Sequence, residues 1–255
     1  MYAEERQQSM VQLIGRRGRL SVSQLSDEFA VTTETVRRDL SALDRMGLVR
    51  RVHGGAVPTG SFTVIESGIS ERDQANTPAK EAIAAAALAL LPPSDSVIVI
   101  DAGSTTARLA AALPRDLRLS VITHAVPVAA RLAGLPHIEL YLLPGKVRPV
   151  THAAVGADTV AALGDVRVDV AFIATNGISI GYGLTTPDRE EAAPKRAILA
   201  CARRKIVLAD STKIGLETAV RFASLADIDT LVTDRDIDRT DRRDLEKAGL
   251  EVVVA

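Results

Sequence analysis

Two groups of residues carry side chains able to do chemistry. The first lies in residues 32–56. Thr33, Glu34, Thr35, Arg37 and Arg38 fall off an apolar stripe made by Val36, Leu40 and Leu43. Arg50, Arg51 and His53 follow in a short basic stretch that Gly54-Gly55 turns back on itself. An Arg fork can lie on phosphates or reach guanine O6 and N7 with two hydrogen bonds. Thr33 and Thr35, near a helix start, can meet base edges or a backbone phosphate. Glu34 suits the positive first turn of that helix, and Thr32 is its expected N-cap. The second group follows a series of apolar runs. It comprises Asp101-Ala-Gly103-Ser104-Thr105-Thr106, Thr123-His124, Gly145-Lys146-Val-Arg148, Asn176-Gly177 and Asp210-Ser211-Thr-Lys213. Small residues let backbone N–H groups approach an anion, and hydroxyls with a helix N-terminus add donors.

Taken singly, each of these signals has an ordinary reading. Gly-Ser-Thr is a common turn with an N-cap, Asn176-Gly177 a turn, Lys146 and Arg148 a solvated loop, and two adjacent arginines a solvated helix face. No Gly-Lys-Ser/Thr completes a Walker loop and no full dinucleotide fingerprint is present, so a dinucleotide cofactor is excluded. Recurrence is what gives the second group weight. Polar residues at successive strand ends predict one shared site, because open α/β sheets bind ligands beyond the carboxyl ends of their strands.

The elements that must position these residues are legible in part. Residues 4–17 read as a helix with Met10, Val11, Leu13 and Ile14 on one side. Ser21 and Gln24 have capping-box spacing, which starts a second helix with Val22, Leu25 and Phe29 inward. Gly47 ends the third helix, and 48–53 with 56–57 make a hairpin. Beyond an Ala/Leu helix at 79–91, apolar runs at 97–100, 119–122, 138–143, 168–174, 206–209, 231–232 and 250–254 alternate with helical stretches. That alternation implies a mostly parallel sheet. The fold class is therefore α/β: a winged helix-turn-helix over 1–57, a linker over 58–78, where Glu71-Arg72-Asp73 can begin a helix, and an α/β domain over 79–255.

Composition narrows the function. The 255 residues are 47% apolar but only 3% aromatic, with no Trp, so Ala, Val, Leu and Ile must build the core. Net charge is −1, yet residues 1–55 carry nine cations, all Arg, against seven acids. The single Cys201 excludes an intrachain disulfide framework or a Cys-rich metal site, and is expected to be buried packing. The start lacks an apolar secretory core, and the longest apolar run, 82–91, is too short to span a bilayer. A cytoplasmic protein with no membrane partner is expected.

Thr35-Val-Arg-Arg-Asp-Leu40 with Arg51-Val-His-Gly-Gly-Ala56 closely resembles the DeoR family of bacterial transcriptional regulators, and the resemblance runs over essentially the whole chain. It implies that the second domain is a sugar-phosphate sensor resembling the ribose-5-phosphate isomerase fold. The matching stretches are Asp101–Thr106, Gly177-Ile…Gly183-Leu-Thr-Thr-Pro187, Glu191…Lys195-Arg196 and Leu208–Gly215. By that resemblance Ser104–Thr106 and Lys213 hold phosphate, Asp101 and Asp210 accept sugar hydroxyls, Lys195 lies close to the ligand or supports its loop, and Asp39 fixes its Arg neighbours. The family's usual Asn-Ser, Gly-Ile-Asp and acid before Lys are here His124-Ala125, Gly177-Ile-Ser179 and Ala193-Pro194. The N-terminal Met-Tyr-Ala-Glu-Glu-Arg-Gln and the run 123–130 resemble the fructose-operon repressors of high-GC Gram-positive bacteria, which implies fructose 1-phosphate or a related ester as effector.

The implied protein is no enzyme and needs no metal or cofactor. It is a homodimeric or homotetrameric repressor that binds double-stranded operator DNA, with the linker as the place where orientation changes. Two other readings compete with it: a sugar-phosphate isomerase fused to a DNA-binding domain, with Asp101 or Asp210 as base, and a sensor that only oligomerises.

Overall fold

The structure, a computed structural model, describes residues 3–52, 54–58 and 68–255. The N-terminal unit runs α1 (Ala3–Arg17), β1 (Leu20–Ser21), α2 (Val22–Phe29), α3 (Thr33–Arg45), β2 (Val49–Val52) and β3 (Gly55–Pro58). Ser21 and Gln24 form the expected capping box, with Gln24 N donating to Ser21 Oγ at 3.1 Å and Ser21 N donating to Gln24 Oε1 at 2.9 Å. Thr32 caps α3 by accepting from Thr35 N at 3.2 Å. Met10, Ile14, Leu25, Val36, Leu40 and Leu43 close one small core between the three helices and the sheet. The three strands are ordered β1-β3-β2 and antiparallel. Gly55 is obligatory there, since a Cβ would run into the backbone of Leu20 and Ser21 on the neighbouring strand.

The span 58–78, expected as linker, is partly ordered helix. Pro58 belongs to β3, Ile69–Gln74 forms α4, and Thr77–Leu88 forms α5. α4 is fixed from outside itself: Ile69 N donates to Val150 O at 2.8 Å, and Arg108 pairs with Asp73.

The remaining elements are β4 (Ser96–Ile100), α6 (Ser104–Ala112), β5 (Leu119–Thr123), α7 (Val126–Leu132), β6 (Ile138–Leu142), β7 (Lys146–Val147), β8 (Ala154–Val155), α8 (Ala157–Gly164), β9 (Val168–Ala174), β10 (Gly177–Ser179), β11 (Gly183–Thr186), α9 (Arg189–Cys201), β12 (Ala202–Leu208), β13 (Val220–Ala223), β14 (Thr230–Thr233), α10 (Arg239–Lys247) and β15 (Glu251–Val254). All seven expected strands join one parallel sheet, ordered β15-β14-β12-β9-β4-β5-β6. Successive side chains point to opposite faces. Ile98, Ile100, Val121 and Phe172 meet α5, α6 and α7; Val99, Ile122, Ala171 and Ile173 meet residues of α8, α9 and α10. Burial on both faces is why these strands read as unbroken apolar runs. The chain starts the sheet at β4, builds outward to β6, then returns beside β4 as β9. The switch point of the topology is therefore the crevice between the ends of β4 and β9. A second small sheet, β10-β11-β13, and the β7–β8 hairpin sit near the carboxyl ends of these strands and near α9.

The two units touch. Arg19, 8% exposed, forms an ion pair with Asp241 of α10 and donates to Ile214 O, just after Lys213. Arg50 lies 3.6 Å from Glu217.

Candidate functional site

On α3 the burial pattern follows the period of the helix. Val36, Asp39, Leu40 and Leu43 are inside, and Thr33, Glu34, Thr35, Arg37 and Arg38 lie outside or half outside. Arg37 and Arg38 are 56% and 80% exposed in their side chains, and both face Glu34, at 3.9 and 3.4 Å. Such exposed pairs are weak and screened by salt, so both forks are free to exchange Glu34 for a phosphate or a base. Arg51 is anchored to α3: its N–H donates to Asp44 Oδ1 and its guanidinium to Ser41 Oγ, both at 2.8 Å. Arg50, expected at the DNA, is about half exposed and lies 3.6 Å from the sensor domain's Glu217. His53 lies outside the described residues. Asp39 does not hold its Arg neighbours as expected. It accepts from Arg6 Nε at 2.7 Å and Gln7 Nε2 at 2.8 Å, binding α1 to α3. The helix period explains this, because Asp39 shares a face with Val36 and Leu43, not with Arg37 and Arg38.

In the sheet, β12, β9, β4 and β5 are consecutive neighbours. Their ends place Asp210, Thr175-Asn176-Gly177, Asp101 and Thr123-His124 in one row, as the strand-end argument requires. At the switch point lies a fully enclosed network. Asp101 is 0% exposed; one oxygen meets His124 Nε2 at 2.8 Å, and the other takes Ala174 N at 2.9 Å and the Lys195 ammonium. Lys195 also donates to Ala174 O at 2.8 Å and lies over the Phe222 ring. His124 Nδ1 is 2.8 Å from Ala154 O, which ties β8 to the same cluster. Burial alone would raise the Asp101 carboxyl. The Lys195 charge and the His124 hydrogen bond outweigh it and hold that group well below the ordinary carboxylate range. With three donors on its two oxygens, Asp101, expected at a sugar hydroxyl, positions Lys195 and His124 and is fully enclosed in this structure.

Other expected contacts have partners within the protein. Thr123 Oγ1 donates to Ile100 O at 2.7 Å and accepts from Ala125 N, and Thr106 Oγ1 donates to Gly103 O at 3.0 Å. Lys146 and Arg148 pair with α9: Lys146 with Glu190 at 3.2 Å, Arg148 with Asp188 at 3.1 Å and Glu191 at 2.6 Å. Gly145 and Gly177 are places of close approach, where a Cβ would strike the backbone of Val155 and Leu216 respectively. Asp210 accepts from the Thr212 hydroxyl and from Asn76 Nδ2 at 3.3 Å, while Ser211 N donates to Asp234 at 2.7 Å. Lys213 is half-buried and makes no ion pair among the described residues.

What remains open to a ligand is the start of α6. No side chain caps its first turn, Gly103 packs too tightly against Ala174 for any larger residue, and Ser104 and Thr105 follow. That turn opens on a cavity of about 230 Å³ shared with α4 and α7. Sequence reading missed Lys80, which is buried on α5. The ammonium of Lys80 donates to Arg72 O, and to Ala75 O at 2.6 Å. Burial pushes it down to about 8 against the pull of Asp210. Its position carried a signal, since Lys80 lies on the stripe of Ile83, Ala84 and Ala87. A larger depression of about 510 Å³ between α8 and α9 is lined mainly by Gly156, Ala157, Val160, Ala161 and Ala193 and holds none of the polar groups at the sheet ends.

A recognition helix with a wing, joined to a doubly wound sheet with polar strand ends, defines a DNA-binding regulator with a ligand-sensing domain. Residues 6–61 match the DeoR-like helix-turn-helix domain and residues 75–235 the DeoR C-terminal sensor domain. The chain belongs to the DeoR family of transcriptional regulators, and its work is regulation, not turnover. It is 34% identical over 253 residues to the HTH-type transcriptional regulator GlpR of Haloferax volcanii, covering 99% of this chain and 98% of that one. It is 32% identical over 234 residues to the uncharacterized HTH-type transcriptional regulator FruR of Bacillus subtilis, covering 92% of each. Among solved structures it is similar to the sorbitol operon regulator SorC from Klebsiella pneumoniae (TM-score 0.42, 13% identity, 89% of this chain and 94% of that one). It is also similar to ribose 5-phosphate isomerase A from Methanocaldococcus jannaschii (TM-score 0.41, 18% identity, 55% of each chain). Among the described residues no helix is long and apolar enough to cross a membrane.

Proposed function

We propose that this protein represses a sugar-utilisation operon of the fructose type and is released when fructose 1-phosphate or a related ester occupies the sensor domain. The observation that carries the reading is the uncapped first turn of α6, open to a cavity beside the switch point. A nine-residue helix presents unpaired N–H groups and the positive end of its dipole there, which suits a phosphate dianion. The names of relatives support repression: one, 29% identical over 251 residues, is the putative aga operon transcriptional repressor of Escherichia coli O157:H7, and another, 30% identical over 245 residues, is the lactose phosphotransferase system repressor of Staphylococcus epidermidis. Two copies would present two α3 helices to half-sites about 34–36 Å apart or a multiple of that. The ester acts only through a difference in its affinity for DNA-competent and DNA-incompetent arrangements. Thermal unfolding of the full chain with hexose and pentose phosphates tests this. A midpoint raised by one ester and not by its unphosphorylated sugar is expected, and no response to any ester refutes the sensing role.

A further inference from the structure

α4 does more than follow the wing: it walls the cavity at the start of α6. Ile69, Ser70 and Asp73 line it together with Gly103 and Ser104 of the α6 start and with Arg131, Thr151 and His152. Thr151 is 2% exposed, and its hydroxyl has no hydrogen-bond partner among the described residues. A buried hydroxyl left unpaired costs free energy, which a ligand group in the cavity would recover. Arg131, exposed at the rim, makes no ion pair among the described residues, in contrast to Arg108, Arg118 and Arg148 nearby in the same domain. The uncapped α6 turn, a free guanidinium and an orphan hydroxyl thus converge on one small space, with Ser70 of α4 closing it.

We propose that Arg131, Thr151 and Ser70 complete the effector site, Arg131 meeting the phosphate charge and Thr151 and Ser70 the sugar hydroxyls. The inference rests on the sugar-phosphate reading given above and adds who recognises the ester. It also gives the ester a direct hold on the chain leading back to the DNA-binding unit. Arg108 already bridges the two walls, donating to Ser104 O at 3.1 Å and to Asp73 O at 2.8 Å, and Lys80 fixes the last carbonyls of α4. A ligand seated on the first turn of α6 therefore bears on α4 through Ser70 and through Arg108. Nothing has to be relayed through the sheet.

The test is isothermal titration of the full chain with fructose 1-phosphate, fructose 6-phosphate, glucose 6-phosphate and inorganic phosphate, in the wild type and in Arg131→Ala, Thr151→Val and Ser70→Ala. Hydrogen exchange over residues 69–74 is followed in parallel. Arg131→Ala should weaken the preferred ester about tenfold or more and weaken inorganic phosphate with it, since a charge-assisted contact is lost. Thr151→Val should weaken the ester several-fold while leaving the ligand-free thermal midpoint equal or higher, because the hydroxyl it removes has no partner to lose. The ester should slow exchange over 69–74. An ester bound equally well by wild type and all three variants, with no slowing at 69–74, overturns this assignment and leaves the sensing role standing. Failure of the wild type to bind any ester overturns the sensing role itself, and this inference with it.

Discussion

Replacing Lys195 with Met probes the buried network at the switch point. The side chain is 3% exposed and supplies Asp101 with an opposite charge in contact, as well as the donor for Ala174 O. Met fills similar space without charge. Asp101, at 0% exposure, keeps His124 and the Ala174 N–H, so its carboxylate is weakened in support but not stripped. Removing one member of a buried pair costs about 3–5 kcal/mol, and the two surviving donors place this case near about 3 kcal/mol. With a urea slope of about 2 kcal/mol/M, the unfolding midpoint should fall by roughly 1.5 M. The pH dependence should change as well. Because the folded Asp101 carboxyl is held below its unfolded value, the unfolded chain takes up that proton first as pH falls. The stability it confers is whole above about pH 5 and drains below the ordinary value of 3.8 as pH falls toward the folded one. In Lys195→Met the folded carboxyl rises, so less of this acid-labile stability exists to lose. Urea melts at pH 7 and pH 3 measure both effects. A loss under about 1 kcal/mol at pH 7 refutes the claim that this pair holds the switch point together.

Three further outcomes follow from the geometry. Arg37→Ala or Arg38→Ala should leave folding within about 0.5 kcal/mol, since their partner Glu34 is exposed, yet weaken operator binding. A base reader should lose about 1–3 kcal/mol and relax one position, while a phosphate contact should weaken all sequences alike and flatten the salt slope; unchanged binding in both refutes α3 as recognition helix. Arg19→Ala removes the ion pair to Asp241 and a donor to Ile214 O, so calorimetry should show the N-terminal unit melting separately and earlier; a single unchanged transition would show that the contact does not couple the two units. Lys80 is pushed down to about 8 by burial, so between there and its ordinary 10.5 the unfolded chain binds the proton that the folded one has released. Stability of the wild type relative to Lys80→Met should therefore rise from pH 8 to pH 10, and urea melts showing it flat or falling would contradict the burial of a charged Lys80.

The sequence was most legible where one period governed one surface. The α3 stripe separated Val36, Leu40 and Leu43 from the arginines correctly, and Ser21 with Gln24 announced α2 by local hydrogen bonding. The seven strands announced themselves because both their faces are buried. The small sheet was not legible: β11 and β13 contain Thr185, Thr186 and Arg221, with no apolar run to mark them. α4 was legible only as a helix start at Glu71-Arg72-Asp73; it is six residues long and owes its place to Lys80 of α5 and to Arg108, 35 residues beyond Asp73. Arg19 gave no sign of its partner, which lies 222 residues away. The candidate site was legible as a row of strand ends but not in its division of labour. Asp101, Lys146 and Arg148 stand at strand ends and in a loop in the sequence, and nothing there announces their countercharges, Lys195 for Asp101 and the acids at the start of α9 for the other two. Arg131 and Thr151 sit on no motif at all.

The central claim is that a phosphorylated sugar controls the DNA affinity of α3 through the sensor domain. Binding of the full chain to an operator duplex, selected from a random library, should be measured at fixed salt with and without a panel of sugar phosphates. One ester, fructose 1-phosphate or a close relative, should weaken operator binding by a factor of about 5–150, the usual range of coupling between two sites, and its unphosphorylated sugar should not. Tight operator binding that no member of the panel alters would contradict the account.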